Sequence, residues 1–169
     1  MSTFLEEYHG VNPQTEGAQA VSYFWGLMTA GCIVGMVLLK LMDSKRLLRG
    51  SGMLTIVLLL AALFGSKEVS LIAFPCIGFS ISMMYSIVFS LALNSARQHH
   101  GSFAGILCSA IAGGAGGPLV VSTLADATSL RMGMLSIVLF IGYITFIGFW
   151  AHPLINNKTV KFSELFSKK

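Results

Sequence analysis

Residues 74–94 read FPCIGFSISMMYSIVFSLALN, and after the link SARQHH residues 101–126 read GSFAGILCSAIAGGAGGPLVVSTLAD. Both runs are apolar over the roughly 20 residues that a helix needs to cross the hydrocarbon core of a bilayer. The first carries Ser82, Ser86, Ser90 and Asn94 at intervals of four, with Tyr85 beside them. Positions four apart share one side of a helix, so these groups form a drifting polar stripe. The second carries Gly101, Gly105, Ser109, Gly113 and Gly117, again at intervals of four. Minimal side chains in that pattern let another helix come close. A polar stripe on one helix and a small-residue face on the next predict a membrane bundle with a wet interior.

Working outward, the chain of 169 residues is 54% hydrophobic and only 11% charged, against about 25% charged in an ordinary soluble domain. Its apolar residues lie in blocks rather than in the half-face stripes of a soluble fold. The fold class implied is an all-α integral membrane protein with five transmembrane helices, at about 18–42, 47–66, 69–94, 101–125 and 130–150. Residues 1–17 are expected to be an external loop, residues 18–152 the membrane domain, and residues 153–169 a cytoplasmic tail. Gly26, Ala30, Gly31 and Gly35 give the first span a close-packing side, and Pro118 after two glycines is expected to kink or loosen the fourth.

With those spans, nine basic residues (Lys40, Lys45, Arg46, Arg49, Arg97, Lys158, Lys161, Lys168 and Lys169) fall on one side and two (Lys67 and Arg131) on the other. The basic side is cytoplasmic by the positive-inside rule. The N-terminus is then external and the C-terminus internal. An external N-terminus with no helix before it leads to the expectation that at least one upstream span is missing. Membrane topology accounts for the net charge of +4. Nucleic-acid binding is not expected, because no basic patch interleaved with aromatics is present.

The three cysteines, Cys32, Cys76 and Cys108, are odd in number, lie in apolar runs and lack metal spacing; they read as small core residues. His99 and His100 have no third ligand nearby, so no metal is expected. The run Gly113, Gly114, Gly116, Gly117 lacks the Lys-Ser/Thr ending and the preceding strand of a phosphate loop. No nucleophile–base pair or carboxylate dyad appears. An enzyme is not expected, nor a cofactor.

Three segments carry a family likeness. Lys40-Leu41-Met42-Asp43-Ser44-Lys45-Arg46 resembles the short basic cytoplasmic loop of major facilitator transporters, with Ser44 where that pattern usually has Arg. Residues 85–93, from Tyr85 through Ser86 to Ser90, resemble the tenth helix of fucose-permease-like sugar:proton symporters, with Ser86 in place of a proline. Gly101-Ser102-Phe103, then Gly113-Gly114, Pro118 and residues 122–126 are similar to that family's eleventh helix and its exit. The resemblance covers residues 4–150. It implies helices eight to twelve of a twelve-helix fold, with the N-terminal helices absent.

It further implies a fragment of a secondary active transporter of the cell inner (plasma) membrane. Such a transporter moves a sugar of the fucose, glucose or galactose type with a proton by alternating access, and a fragment is not expected to transport alone. Tyr85, Ser86, Ser90 and Asn94 would line the substrate path or its cytoplasmic end, and Tyr23 and Trp25 would stack on sugar or anchor at the interface. Asp43, Lys45 and Arg46 would cap helix ends and act as a cytoplasmic latch. Gly105, Ser109, Gly113 and Gly117 would serve helix packing. Proton coupling needs an ionisable group within the membrane. Every acidic residue here falls in a loop, the tail or a span end, so the proton carrier would belong to the absent part. The other readings are a small structural or assembly membrane protein and a fragment of a major facilitator drug exporter. The partners expected are the lipid bilayer, the missing helices, and sugar and proton in the full-length protein.

Overall fold

A computed structural model describes residues 1–95, 100–114 and 116–152. Among them every regular element is a helix: α1 (Ser2–His9), α2 (Glu16–Leu41), α3 (Ser44–Phe64), α4 (Lys67–Asn94), α5 (His100–Gly113), α6 (Gly116–Ala127) and α7 (Leu130–Trp150). Four of these, α2, α3, α4 and α7, are long and apolar enough to cross a membrane, with mean hydropathies of 1.8 to 2.1. In hydrocarbon every backbone N–H and C=O must be satisfied within the chain, and the helix does this without neighbours. The chain is thus an all-helical, multi-pass membrane protein.

The packing order differs from the chain order. α4 lies between α2 and α3, α3 packs on α7, and α7 packs on α6. α2 and α4 run the same way, since Phe24 meets Gly78 near one end and Gly35 meets Met83 further along. α3 runs against both and against α7, where Gly52 faces Thr145 and Arg49 faces Gly148.

Close approach explains why α2 and α4 pair. A Cβ on Gly31 would run into Ser82 and the Phe79 carbonyl, and one on Gly78 would lie 2.7 Å from the Phe24 carbonyl. Gly31 on α2 therefore sits against Phe79 and Ser82 of α4, Gly35 against Met83, and Gly78 of α4 against Phe24 of α2. Without a hydrophobic force between helices in lipid, such backbone-to-backbone contact supplies the association. Gly26, expected on the same face, has nothing within 4 Å.

The segment 1–17, expected to be a polar loop, contains α1. Phe4 and Leu5 are fully buried, and so is Val11 beyond the left-handed Gly10 (φ 61°). Glycine supplies that backbone conformation without a Cβ penalty. Phe4 stacks on Tyr8 at 4.7 Å and meets Phe74 of α4 edge-on at 5.8 Å. His9 Nε2 and Ser70 Oγ are 3.1 Å apart. The Arg131 guanidinium of α7 lies 4.5 Å from the Tyr8 ring centroid and 5.4 Å from that of Phe64 on α3. α1 thus packs against α2 and α4 and meets α7 through Arg131.

The expected single span at 101–125 is two shorter helices, α5 of 14 residues and α6 of 12. Pro118 is the third residue of α6, where a missing N–H costs nothing because the first N–H groups of a helix have no intrahelical partner. A continuous helix would instead set the proline ring against the carbonyl four residues back. Among the described residues α5 ends at Gly113 and α6 begins at Gly116, with Gly117 N–H bonding Gly114 O at 3.1 Å. α3 covers the second expected span, and Ser129 caps α7 by accepting a bond from Met132 N–H at 3.3 Å. The tail 153–169, Arg97 and His99 lie outside the described residues, as does the His100 side chain.

Candidate functional site

α4 has three environments around its circumference. Toward α2 it presents Gly78 and Ser82. Toward α3 it presents Ser70, whose hydroxyl donates to Ala62 O at 2.7 Å, and Met84, whose sulfur accepts from Thr55 Oγ1 at 3.6 Å. The third side faces α7 across a gap. One cavity there, of about 310 Å³, is lined by Ile81, Met84, Tyr85 and Val88 of α4 and by Ile141 and Ile144 of α7. Ile81 and Ile141 also line a second cavity of about 370 Å³, which reaches Trp25, Phe74 and Met1. A third, of about 680 Å³, lies between α6, α7 and the start of α1, against Thr3, Pro118 and Phe140.

The residues of the polar stripe separate on this surface. Tyr85 is half exposed, lies 6.2 Å from the Phe89 ring, and lines the α4–α7 gap, whose wall is almost wholly apolar. Ser82 is buried against Gly31 and donates to Phe79 O at 2.9 Å. Ser86, Ser90 and Asn94 are partly buried and line none of these three cavities. The cause is geometric: a four-residue step exceeds the 3.6-residue turn by about 40°. A stripe that begins against α2 at Ser82 therefore rotates away from α7 with each turn.

Tyr23 and Trp25 are both exposed, on different faces of α2. Trp25 borders the α4–α7 gap. Tyr23 lines a separate groove of about 580 Å³ with Glu16, Gln19 and Pro75, above which Lys67 and Glu16 form an ion pair at 2.7 Å.

At the opposite end, Asp43 occupies the N-cap position of α3, but its side chain makes no capping bond. Among the described residues it forms no ion pair with Lys45 or Arg46. The capping expected of Asp43 is therefore positional only: its backbone carbonyl takes the Leu47 N–H at 3.0 Å.

On the small-residue face, Gly105 and Gly117 have nothing within 4 Å, Gly113 ends α5, and the Ser109 hydroxyl donates to Gly105 O of its own helix at 3.0 Å. No other described helix packs against that face at Gly105 or Gly117. Cys32 and Cys76 are partly buried and Cys108 is exposed.

Sequence reasoning missed the α1 contacts. The signal was present: Phe4, Leu5 and Tyr8 follow the i, i+1, i+4 pattern of an amphipathic helix. Arg131 was read only as a charge, yet its guanidinium sits between two aromatic rings.

The fold defines a membrane protein in which four long helices surround an apolar gap lined in part by Tyr85. Over 135 residues the chain is 33% identical to the glucose/galactose transporter of Brucella abortus biovar 1 (strain 9-941), covering 80% of this chain and 33% of that protein. The same figures hold for the glucose/galactose transporter of Brucella abortus (strain 2308). It is 28% identical over 109 residues to the putative glucose/galactose transporter of Helicobacter pylori (strain ATCC 700392 / 26695), covering 64% of this chain and 27% of that protein. The chain spans about a third of the length of the curated relatives it matches. No family model matches the chain, and no solved structure matches it.

Proposed function

We propose that this chain is the C-terminal membrane block of a sugar transporter of the major facilitator type, similar to fucose-permease-like sugar:proton symporters. The observation that carries the reading is the 33% identity over 80% of the chain to proteins named glucose/galactose transporter. The substrate is then a hexose, moved by alternating access together with a proton through the longer protein. The proton-carrying carboxylate lies in the helices that the relatives have beyond this match. The basic end, with Asp43, Lys45 and Arg46, faces the cytoplasm as a latch, and α1 lies on the outer side of the inner membrane.

Within that reading Tyr85 offers the path a ring face and a hydroxyl, the two features by which a protein holds a sugar. Ser86 and Ser90 contribute hydroxyls where α4 turns toward helices outside this chain, and Asn94 stands at the cytoplasmic exit. The small-residue face of Gly105, Ser109, Gly113 and Gly117, open at Gly105 and Gly117, receives another helix of the same transporter.

The test is hexose uptake into vesicles by a protein of the relatives' full length carrying this block. Tyr85→Phe and Ser86→Ala should each lower uptake with the protein still inserted and folded. Unchanged uptake in both would remove these residues from the path, and absence of any hexose uptake would remove the function.

A further inference from the structure

We propose that the α3–α7 corner at the basic end of the bundle binds the phosphate of an anionic phospholipid, with Arg49 as the central contact. Lys40, Lys45, Arg46 and Arg49 lie within ten residues of sequence. Among the described residues none of the four makes an ion pair. Arg49 is held rather than splayed: its Nε donates to Lys45 O at 3.3 Å, and its guanidinium lies 5.0 Å from the centroid of the Phe149 ring. Gly148 makes room for its stem, since a Cβ there would come within 3.0 Å of Arg49 Cγ. The guanidinium is thereby fixed at the junction of two helix ends with its terminal N–H groups open. A planar fork of that kind matches phosphate oxygens.

Lys45 precedes Arg49 by one turn on the same side of α3. The two cations therefore bracket one position beside the end of α7. From that position an apolar track leads along α3. Met53 is 60% exposed, Val57 63%, Leu60 39% and Phe64 62%, at the three- and four-residue steps of the helix face that carries Arg49. A headgroup phosphate at Arg49 and Lys45 would thus have its acyl chain laid on this face. Phosphate and hydrocarbon are met together in a phospholipid and in no free anion. Basic residues at membrane ends attract anionic lipid, and the fixed guanidinium converts that general attraction into a site.

The full chain, purified in mild detergent and offered an equimolar mixture of phosphatidylglycerol and phosphatidylcholine, should retain phosphatidylglycerol preferentially in native mass spectrometry. Arg49→Gln and Lys45→Gln should each reduce the phosphatidylglycerol-bound fraction by about fivefold, whereas Lys67→Gln at the other end should not. Arg49→Lys, which keeps the charge, should lose less than Arg49→Gln. Equal retention of the two lipids by the unaltered chain would overturn the proposal, and that measurement needs no variant to fold. So would an effect of Lys67→Gln as large as that of Arg49→Gln, or displacement of the lipid by excess inorganic phosphate, which would mark a site for the free anion.

Discussion

Gly31 of α2 lies so close to Ser82 and the Phe79 carbonyl of α4 that no Cβ fits between the two helices. The Ser82 hydroxyl could rotate aside, but a backbone carbonyl cannot. Gly31→Ala should therefore push the helices apart and cost about 1–3 kcal/mol, the usual range for overpacking. Gly26→Ala, on the same helix with nothing within 4 Å, should be neutral or slightly stabilising, because alanine favours the helix over glycine. Thermal unfolding of the two variants in detergent separates them, and equal midpoints would refute the packing account.

Gly52 and Thr145 set the second close contact, between α3 and α7. A Cβ on Gly52 would meet the Thr145 hydroxyl and lie 2.9 Å from its Cβ. Gly52→Ala should destabilise the chain, and adding Thr145→Ser should recover part of the loss by removing the methyl group, Cγ2, that lies 3.0 Å from the new carbon. The Thr145 hydroxyl donates to Ile141 O at 2.7 Å within its own helix, and serine preserves that bond. Two losses that simply add would show that the residues do not compete for the same space.

Glu16 and Lys67 join the starts of α2 and α4, but their side chains are 50% and 44% exposed. Solvent screening then limits the pair to about 0.2–1 kcal/mol. A double-mutant cycle with Glu16→Gln and Lys67→Gln should give a coupling in that range that shrinks as salt is raised. A larger, salt-insensitive coupling would mean that the pair is shielded from water.

Legibility in the sequence followed physical cause. The long spans were visible because lipid demands an apolar run whatever its neighbours are. Gly31 and Gly35 were visible because a four-residue spacing of small residues has one main use in a membrane. The break in the fourth span was half visible: Pro118 marked the place, but composition alone does not say whether a helix bends or stops. The direction of the Ser82–Asn94 stripe could not be read, because periodicity gives a shared side and not the neighbour on it. α1 was missed because Glu6, Glu7 and His9 dominate its composition, while its buried contacts come from Phe4, Leu5 and Tyr8 meeting residues more than 50 positions away, Phe74 and Arg131.

The last prediction concerns α1. Phe4 is fully buried between Tyr8 and Phe74, so Phe4→Ala removes a ring from both contacts. Truncation of a buried Phe costs about 3–5 kcal/mol. Here the loss should fall on the docking of α1, since α2, α3, α4 and α7 keep their own contacts. Hydrogen exchange and proteolysis within residues 2–9 should accelerate by orders of magnitude while the spans stay protected. Arg131→Gln should give a weaker version of the same result, because it removes the cation over Tyr8 at 4.5 Å and leaves Phe4 in place. If exchange accelerated equally in α4 and α7, α1 would be part of the cooperative core and not a separately docked cap.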